Sequence, residues 1–270
     1  GKSIFLSMLR TYYDIAQKEK FEKRFSNLWI GSRPTQLQGT FQILFLDFSR
    51  VGGLDRTLAE NFDDYCCGGL DDFASIYEPY YYPGFEEEMK AQYGTTNKLN
   101  FLDRKARNNG SKLYLIVDEY DNFTNVVLNE QGDKVYHALT HASGFYREIF
   151  KKFKGMFERI FMTGVSPVTL DDLTSGFNIG WNISTDHQFN MMLGFSETDV
   201  REMIQYYKDA GQLPGNTNID AMIEEMRPWY DNYCFAEESL ERDPKMFNCD
   251  MVFYYLRHYM TLGKSPKEMI

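Results

Sequence analysis

Three short apolar segments, separated by segments with helical periodicity, constrain the fold of this chain more than any other feature. They cover residues 41–48, 112–117 and 159–163, and each is followed by polar or small residues. Such segments are typical of buried strands, and their alternation with helices predicts a parallel sheet covered on both faces. Because ligands bind these sheets beyond the carboxyl ends of the strands, the residues after each strand are the first candidates for function.

The chain opens with Gly1-Lys2-Ser3, followed at once by apolar residues at helical spacing over 4–16. This matches the end of the pattern G-x-x-x-x-G-K-[ST], in which a loop and a helix N-terminus bind phosphate. In that interpretation Gly1 and Lys2 bind the phosphates of a nucleotide, and the Ser3 hydroxyl binds Mg²⁺. Taken alone the match is weak, because three residues of common types also occur together by chance.

The second apolar segment leads into two carboxylates, Asp118 and Glu119. A nucleotide hydrolase needs such a pair at the carboxyl edge of its sheet. We expect Asp118 to hold Mg²⁺ through water, and Glu119 to act as the general base on the attacking water. The alternative is an ordinary strand end, where Asp and Glu are common. Asp121, two residues further on, has two interpretations as well: it assists Glu119, or it is a solvated carboxylate.

The third apolar segment ends at Thr163, whose hydroxyl is a candidate for contact with the catalytic water or the γ-phosphate. The order of the motifs is more informative than any one of them. Lys-Ser and a helix come first, then a strand, then the Asp-Glu strand, then the Thr strand. This order predicts an α/β P-loop NTPase of the additional-strand (ASCE, AAA-like) type, with one further strand expected before Gly1.

Longer motifs with no general role in P-loop proteins follow along the chain. Together with Gly1-Lys2-Ser3 they are Leu6-Ser7-Met8-Leu9, Leu46-Asp47-Phe48-Ser49, Asp118-Glu119-Tyr120-Asp121, Thr163-Gly164-Val165-Ser166-Pro167, residues 175–180, Met192-Leu193-Gly194-Phe195 and Trp229-Tyr230-Asp231-x-Tyr233-x-Phe235. On these motifs, nearly the whole chain resembles the AAA-ATPase-like family of bacterial P-loop proteins. The resemblance implies ATP binding and slow hydrolysis coupled to a conformational change. It also implies a C-terminal PD-(D/E)XK nuclease-like domain as partner in the full-length protein.

Composition and charge argue against several other classes. The 270 residues are 43% hydrophobic and 16% aromatic, which is the mix of a globular protein rather than a disordered one. A net charge of −10 argues against a protein whose main surface binds DNA, although nucleic-acid contact by this domain is left open. No apolar run approaches the roughly 20 residues that span a membrane. The four cysteines lack metal-binding spacing, so we expect free thiols in the cytoplasm.

We expect two regions, an ATPase core over 1–195 and a helical lid or second subdomain over 196–270. The predicted function is a Mg²⁺-dependent ATPase module that drives or gates an attached effector domain. The alternative is a nucleotide-gated scaffold with little or no hydrolysis, and oligomerisation is left open. A polypeptide that begins at Gly1 has only part of the phosphate-binding loop, and we expect it to bind ATP weakly or not at all and to be inactive.

Two further sets of residues each have a functional and a structural interpretation. An arginine finger is common in such ATPases, and surface ion pairing is the alternative for each candidate: Arg147, Arg159 and Arg201. The aromatic residues of the last motif could stack on bases, although aromatics between helices are usually part of the core: Trp229, Tyr230 and Tyr233.

Overall fold

The computed structural model describes residues 2–51, 57–122, 145–165, 181–242 and 245–269, apart from the side chain of Asn232. The chain divides into two compact units: the first is Ser3–Gly180, and the second is Trp181–Ile270, with which Gly1–Lys2 are grouped. Each unit has a hydrophobic core of its own. Residues 181–195, which the sequence assigned to the first region, fall in the second unit. As a functional boundary, the predicted division after residue 195 stays a prediction.

A three-stranded parallel sheet forms the centre of the first unit. Its strands, in sheet order, are β1 (Phe41–Asp47), β2 (Lys112–Asp118) and β3 (Arg159–Met162). The register pairs Asp47 with Asp118 and Val117 with Met162, so the three strands end at the same edge. The predicted strands and the α/β class are confirmed, while the additional-strand type stays a prediction.

Helices cover both faces of this sheet. Those described in the first unit are α1 (Lys2–Tyr13), α2 (Phe21–Phe25), α3 (Leu58–Tyr77), α4 (Phe85–Lys90), α5 (Gly94–Asn109) and α6 (Phe145–Met156). On one face, Leu6 of α1 is buried in a cluster with Ile43 and Ile116. On the other, residues of α3 to α6 pack around Leu44 and Leu115. Because both faces are covered, β1 and β2 are almost continuously apolar.

Local signals set the helix ends. The predicted helix over 4–16 ends at Tyr13, because Asp14 is extended and its carboxylate accepts a hydrogen bond from the Ala16 N–H at 2.8 Å. Helix α5 ends where Asn109-Gly110 predicts, and Gly110 has a φ of 67°. The amphipathic pattern of residues 134–154 predicts a long helix, of which the structure describes Phe145–Met156 as α6, since residues 123–144 lie outside the described part.

The described residues of the second unit form three α-helices and a small antiparallel sheet: α7 (Glu197–Asp209), α8 (Ile219–Tyr230), β4 (Asp231–Tyr233), β5 (Met246–Phe247) and α9 (Cys249–Leu262). Phe195 pairs with Phe247 through two backbone hydrogen bonds of 3.0 and 2.8 Å. The sequence predicted helices and a turn here, so the short strands are an addition. Across the described ranges of the whole chain, no helix has both the length and the apolar character that crossing a membrane requires.

Candidate functional site

Asp118 is the point at which three chain segments meet at the carboxyl edge of the sheet. It is the last residue of β2 and is 5% exposed. The Ser3 hydroxyl donates to Asp118 Oδ2 at 3.3 Å, and the Thr163 hydroxyl donates to Oδ1 at 2.5 Å. The backbone N–H of Glu119 also donates to Oδ1, at 3.0 Å. Four of the residues predicted from the sequence therefore lie together: Ser3, Asp118, Glu119 and Thr163.

Ser3 reaches Asp118 because the first turns of α1 pack against the sheet. Leu6 is completely buried in the cluster on this face. The ring of Phe5 lies 5.8 Å from that of Phe161 in β3. These apolar contacts hold the first turn of the helix at the edge where β2 ends.

The same helix start is an anion-binding element by its own chemistry. The first backbone N–H groups of an α-helix have no partner within the helix, and the helix dipole favours negative charge there. Lys2 is the first residue of α1, one position before Ser3. Gly1, the remaining predicted phosphate-binding residue, lies outside the described residues. A helix N-terminus, a lysine and a hydroxyl are suited to binding a phosphate group.

Glu119 has a backbone conformation that is rare for its residue type. Its φ is 51°, in the left-handed region that glycine and asparagine adopt more readily. Its carbonyl accepts a hydrogen bond from the Asn122 N–H at 3.0 Å, so the chain turns at this point. A non-glycine residue in this region costs on the order of 1–3 kcal/mol, and such residues cluster at functional sites. The candidate general base therefore occupies a strained turn directly after the strand.

The chain after β3 is fixed to the chain after β2. The Thr163 N–H donates to the Val117 carbonyl at 2.9 Å, and the Tyr120 N–H donates to the Thr163 carbonyl at 3.0 Å. A Cβ on Gly164 would lie 2.5 Å from both Tyr120 Cε1 and Asp121 Oδ1, which is far too close. Glycine is therefore required at position 164 by the approach of these two segments.

Asp121 is not a solvated carboxylate, so that alternative from the sequence is wrong. It is 0% exposed, and its two carboxylate oxygens accept from the Val165 N–H at 3.1 and 3.0 Å. The neighbouring Tyr120 carbonyl accepts from the hydroxyl of Tyr146, a buried residue of α6, at 2.5 Å. The segment after β2 is thus anchored both to the segment after β3 and to a helix of the core.

The donor atoms around Asp118 suit a hard divalent cation that arrives with phosphate groups. A carboxylate and a hydroxyl supply oxygen ligands, and Mg²⁺ commonly binds through one or two protein groups together with substrate phosphates and water. Within the described ranges, no group of three or more His, Cys, Asp or Glu residues is arranged to hold a metal ion by itself. The arrangement fits a nucleotide-borne Mg²⁺ better than a metal held by protein ligands alone.

Asp47 is a polar residue of this edge to which the sequence interpretation gave no role. It is in register with Asp118. Successive residues of β1 and β2 lie on opposite faces of the sheet, and this alternation places both aspartates on the face that α1 covers. Its carboxylate accepts from the Ser49 N–H and hydroxyl at 3.1 and 2.6 Å and from Arg50 Nε at 3.1 Å. The available signal was that Asp47, like Asp118, is the last residue of an apolar segment.

Two of the candidates for an arginine finger can be placed within their own units. Arg159 is the first residue of β3, so it lies at the edge of the sheet opposite to Thr163. Arg201 forms ion pairs with Glu197 and Asp220 at 2.9 and 2.6 Å, which favours the structural alternative for this arginine.

The aromatic residues of the last motif divide between core and surface. Tyr230 is 1% exposed and belongs to the core of the second unit. Trp229 is 60% exposed and Tyr233 is 43% exposed, so the expectation of core packing is wrong for these two. The Asp231 carboxylate pairs with Arg227 Nη1 at 2.7 Å.

Comparisons with known proteins agree with this geometry. A family model described as "Predicted AAA-ATPase" matches residues 1–174, which includes every residue around Asp118 and ends before the second unit. The chain is 27% identical, over 133 residues, to an uncharacterized protein in the vnfD 5′ region of Azotobacter chroococcum mcd 1. That similarity covers 48% of this chain and 23% of the relative, so the chain spans less than a quarter of that protein. No solved structure matches.

Proposed function

The chain belongs to the AAA-ATPase-like family, and from that membership we propose that it binds ATP together with Mg²⁺ and hydrolyses it. The observation that supports this most directly is the convergence of Ser3 and Thr163 on the carboxylate of Asp118. These hydroxyls come from the start of α1 and the end of β3. They meet at the sheet edge where open α/β sheets bind ligands.

In this proposal, α1 binds the phosphate groups. Lys2 and the backbone at Gly1 contact the β- and γ-phosphates, and Ser3 and Asp118 hold Mg²⁺. Bound there, Mg²⁺ neutralises negative charge on the phosphate oxygens. The chain itself contributes the helix N-terminus and the lysine, both of which favour anions.

Glu119 and Thr163 act on the water in this proposal. The Glu119 carboxylate accepts a proton from the attacking water, and the Thr163 hydroxyl contacts that water or the γ-phosphate. Support comes from their hydrogen bonds to the same atom, Asp118 Oδ1, and from the strained backbone of Glu119. A base held by its backbone needs little reorganisation before the proton transfer.

We propose further that the nucleotide state is transmitted to an attached effector domain. The resemblance to the family implies a nuclease-like effector. In this proposal residues 1–195 form the ATPase core, and residues 196–270 form a helical lid or second subdomain. The scaffold alternative shares the nucleotide site but lacks turnover. ATP turnover therefore separates the two functions.

The test is ATP binding and turnover by the full-length protein, measured with and without Mg²⁺. We expect Lys2→Ala to weaken ATP binding by about 10–100-fold, because a charge-assisted contact is lost. We expect Glu119→Gln to keep binding and to lower kcat by about 10²–10⁴-fold, as removal of a general base does.

Matched controls are two exposed residues, Lys151→Ala on α6 and Glu158→Gln just before β3 at the opposite edge. Both should behave as wild type. Binding that needs Lys2, without any turnover, would support the scaffold alternative. Turnover that survives Glu119→Gln would show that another group is the base.

A further inference from the structure

We infer that Asp121 is a positioning residue for the hydrolytic step, because it fastens the segment that carries Thr163 to the segment that carries Glu119. The inference rests on the proposed function and adds a residue to it. The contact that carries this role is the one between the Asp121 carboxylate and the Val165 N–H.

The first support is the environment of the carboxylate. Asp121 is fully buried, and burying a carboxylate is costly unless hydrogen bonds compensate. Both oxygens accept from one N–H, that of Val165, which lies 44 residues away in the chain. The contact therefore joins two segments that are distant in the chain.

The second support is the lack of space between the two segments. A side chain on Gly164 would collide with Tyr120 and Asp121, each within 2.5 Å of the added Cβ. The backbone hydrogen bond from Tyr120 to Thr163 lies beside this contact. Hence Thr163, Gly164 and Val165 are all fixed against the segment after β2.

The effect of Asp121 on turnover depends on how Asp118 contacts Thr163 and Glu119. Its Oδ1 accepts both the Thr163 hydroxyl and the Glu119 N–H. If Val165 is released, Thr163 keeps its backbone hydrogen bonds to Val117 and Tyr120, but its position relative to Glu119 is held less firmly. The phosphate-binding start of α1 is a separate segment, packed through Leu6 and Phe5. Loss of Asp121 should therefore impair turnover while leaving nucleotide binding intact.

The experiment measures kcat and ATP Kd for Asp121→Asn in the full-length protein. Asn keeps the shape but removes the charge, and it places an amide where a second acceptor stood. We expect kcat to fall by about 10–100-fold, the loss that misplacement of about 1 Å produces, with Kd within about twofold of wild type. The control is Asp103→Asn on α5, whose carboxylate pairs with Arg107 at 2.8 Å and takes no part in the site.

A double-mutant cycle separates positioning from general destabilisation. If Asp121 acts through Thr163, then Asp121→Asn should cost at most about threefold in kcat once Thr163→Ala is present. An equal loss in both backgrounds would overturn the inference, as would a Kd that rises in parallel with the loss of kcat. An unchanged kcat in Asp121→Asn would overturn it as well.

Two further measurements cover a variant that does not fold and a protein that does not turn over ATP. Gly164→Ala disturbs the same contact from the other segment, and we expect the same split between kcat and Kd. Hydrogen exchange of residues 159–165 needs no turnover: exchange should be faster in Asp121→Asn and unchanged in Glu119→Gln. Slow exchange in Asp121→Asn would overturn the inference. If the wild type does not turn over ATP but exchange is fast in Asp121→Asn, the proposed ATPase function is contradicted and the role of Asp121 in fixing residues 159–165 is not.

Discussion

Asp14 is a second buried carboxylate of the first unit, and it joins three elements. It is 4% exposed, and its Oδ1 accepts from the Ala16 N–H and from the Tyr77 hydroxyl, both at 2.8 Å. The Tyr77 hydroxyl in turn accepts from the Ile43 N–H at 2.9 Å. The Tyr77 hydroxyl, at the end of α3, therefore connects the residue after α1 with strand β1.

Burial raises the pKa of Asp14, and its hydrogen bonds with Ala16 and Tyr77 offset only part of that effect. Below the usual Asp pKa this carboxyl is protonated in both the folded and the unfolded chain. Its ionisation then makes no contribution to the free energy of unfolding. As the pH rises from the usual Asp pKa through the raised pKa of the folded state, Asp14 ionises first in the unfolded chain. This lowers the free energy of unfolding, which is a penalty for the folded state. The penalty reaches its full size once the pH is above the raised pKa of the folded state.

At the residue scale, we predict that Asp14→Asn is at least as stable as wild type at pH 7. The Asn oxygen can accept the same two hydrogen bonds without burying a charge. Because the penalty exists only above the usual Asp pKa, the advantage of Asn should shrink as pH is lowered towards that value. Urea unfolding of both proteins over a pH series measures this difference.

The comparison variant is Asp14→Ala, which removes the acceptor as well as the charge. It should lose about 1–3 kcal/mol, because the Ala16 N–H and the Tyr77 hydroxyl are left without this partner. Equal destabilisation by Asn and Ala at pH 7 would show that the carboxylate charge stabilises the fold after all.

At the scale of elements, α7 shows how a helix start is specified. The Ser196 hydroxyl accepts from the Asp199 N–H at 3.2 Å, and the Asp199 carboxylate accepts from the Ser196 N–H at 2.8 Å. This reciprocal capping box fixes the first turn. We predict that Ser196→Ala lowers the free energy of unfolding of the second unit by about 1 kcal/mol, measured by thermal or urea denaturation.

Thr198→Ala is the matched control for this cap, because Thr198 is exposed in the same turn and has no capping role. It should change stability by less than about 0.5 kcal/mol. A similar loss in both variants would mean that the capping box does not hold this end of α7.

The elements that the sequence predicted are those with a repeated or local signal. Seven-residue apolar strands, the Ser196 cap and the turn at Gly110 are all encoded within a few neighbouring residues. The strands β4 and β5, with three and two residues, are too short to show any periodicity. They exist because Phe247 pairs with Phe195 and Asp231, a relation between distant segments.

The candidate site was predictable in the same limited sense. The residue types at the ends of β2 and β3 identified Asp118, Glu119 and Thr163 before any geometry was known. The burial of Asp121 was not predictable, since its partner Val165 lies 44 residues away. The need for glycine at position 164 also arises only when the two segments come together.

At the scale of the whole molecule, the two units have separate hydrophobic cores. Ile223 is buried with α7, α8 and α9, whereas Leu115 is buried under α3 to α6. We predict that Ile223→Ala costs about 2–5 kcal/mol of stability in the second unit alone. Hydrogen exchange should become faster in 197–262 and stay unchanged in β1 and β2.

The reciprocal variant is Leu115→Ala, which should speed exchange in the first unit and leave α7 to α9 as they are. Faster exchange throughout the chain from either substitution would show that the two cores unfold as one cooperative structure.

The left-handed turn at Glu119 has a consequence for how this chain changes over generations. Glycine and asparagine adopt that backbone conformation more easily than glutamate does, so replacing the acid relieves strain. The substitutions that stabilise this turn are therefore to residues that cannot accept a proton from water. Glutamate persists against this bias only for as long as its carboxylate is under selection, and a lineage relieved of that selection gains stability by losing it.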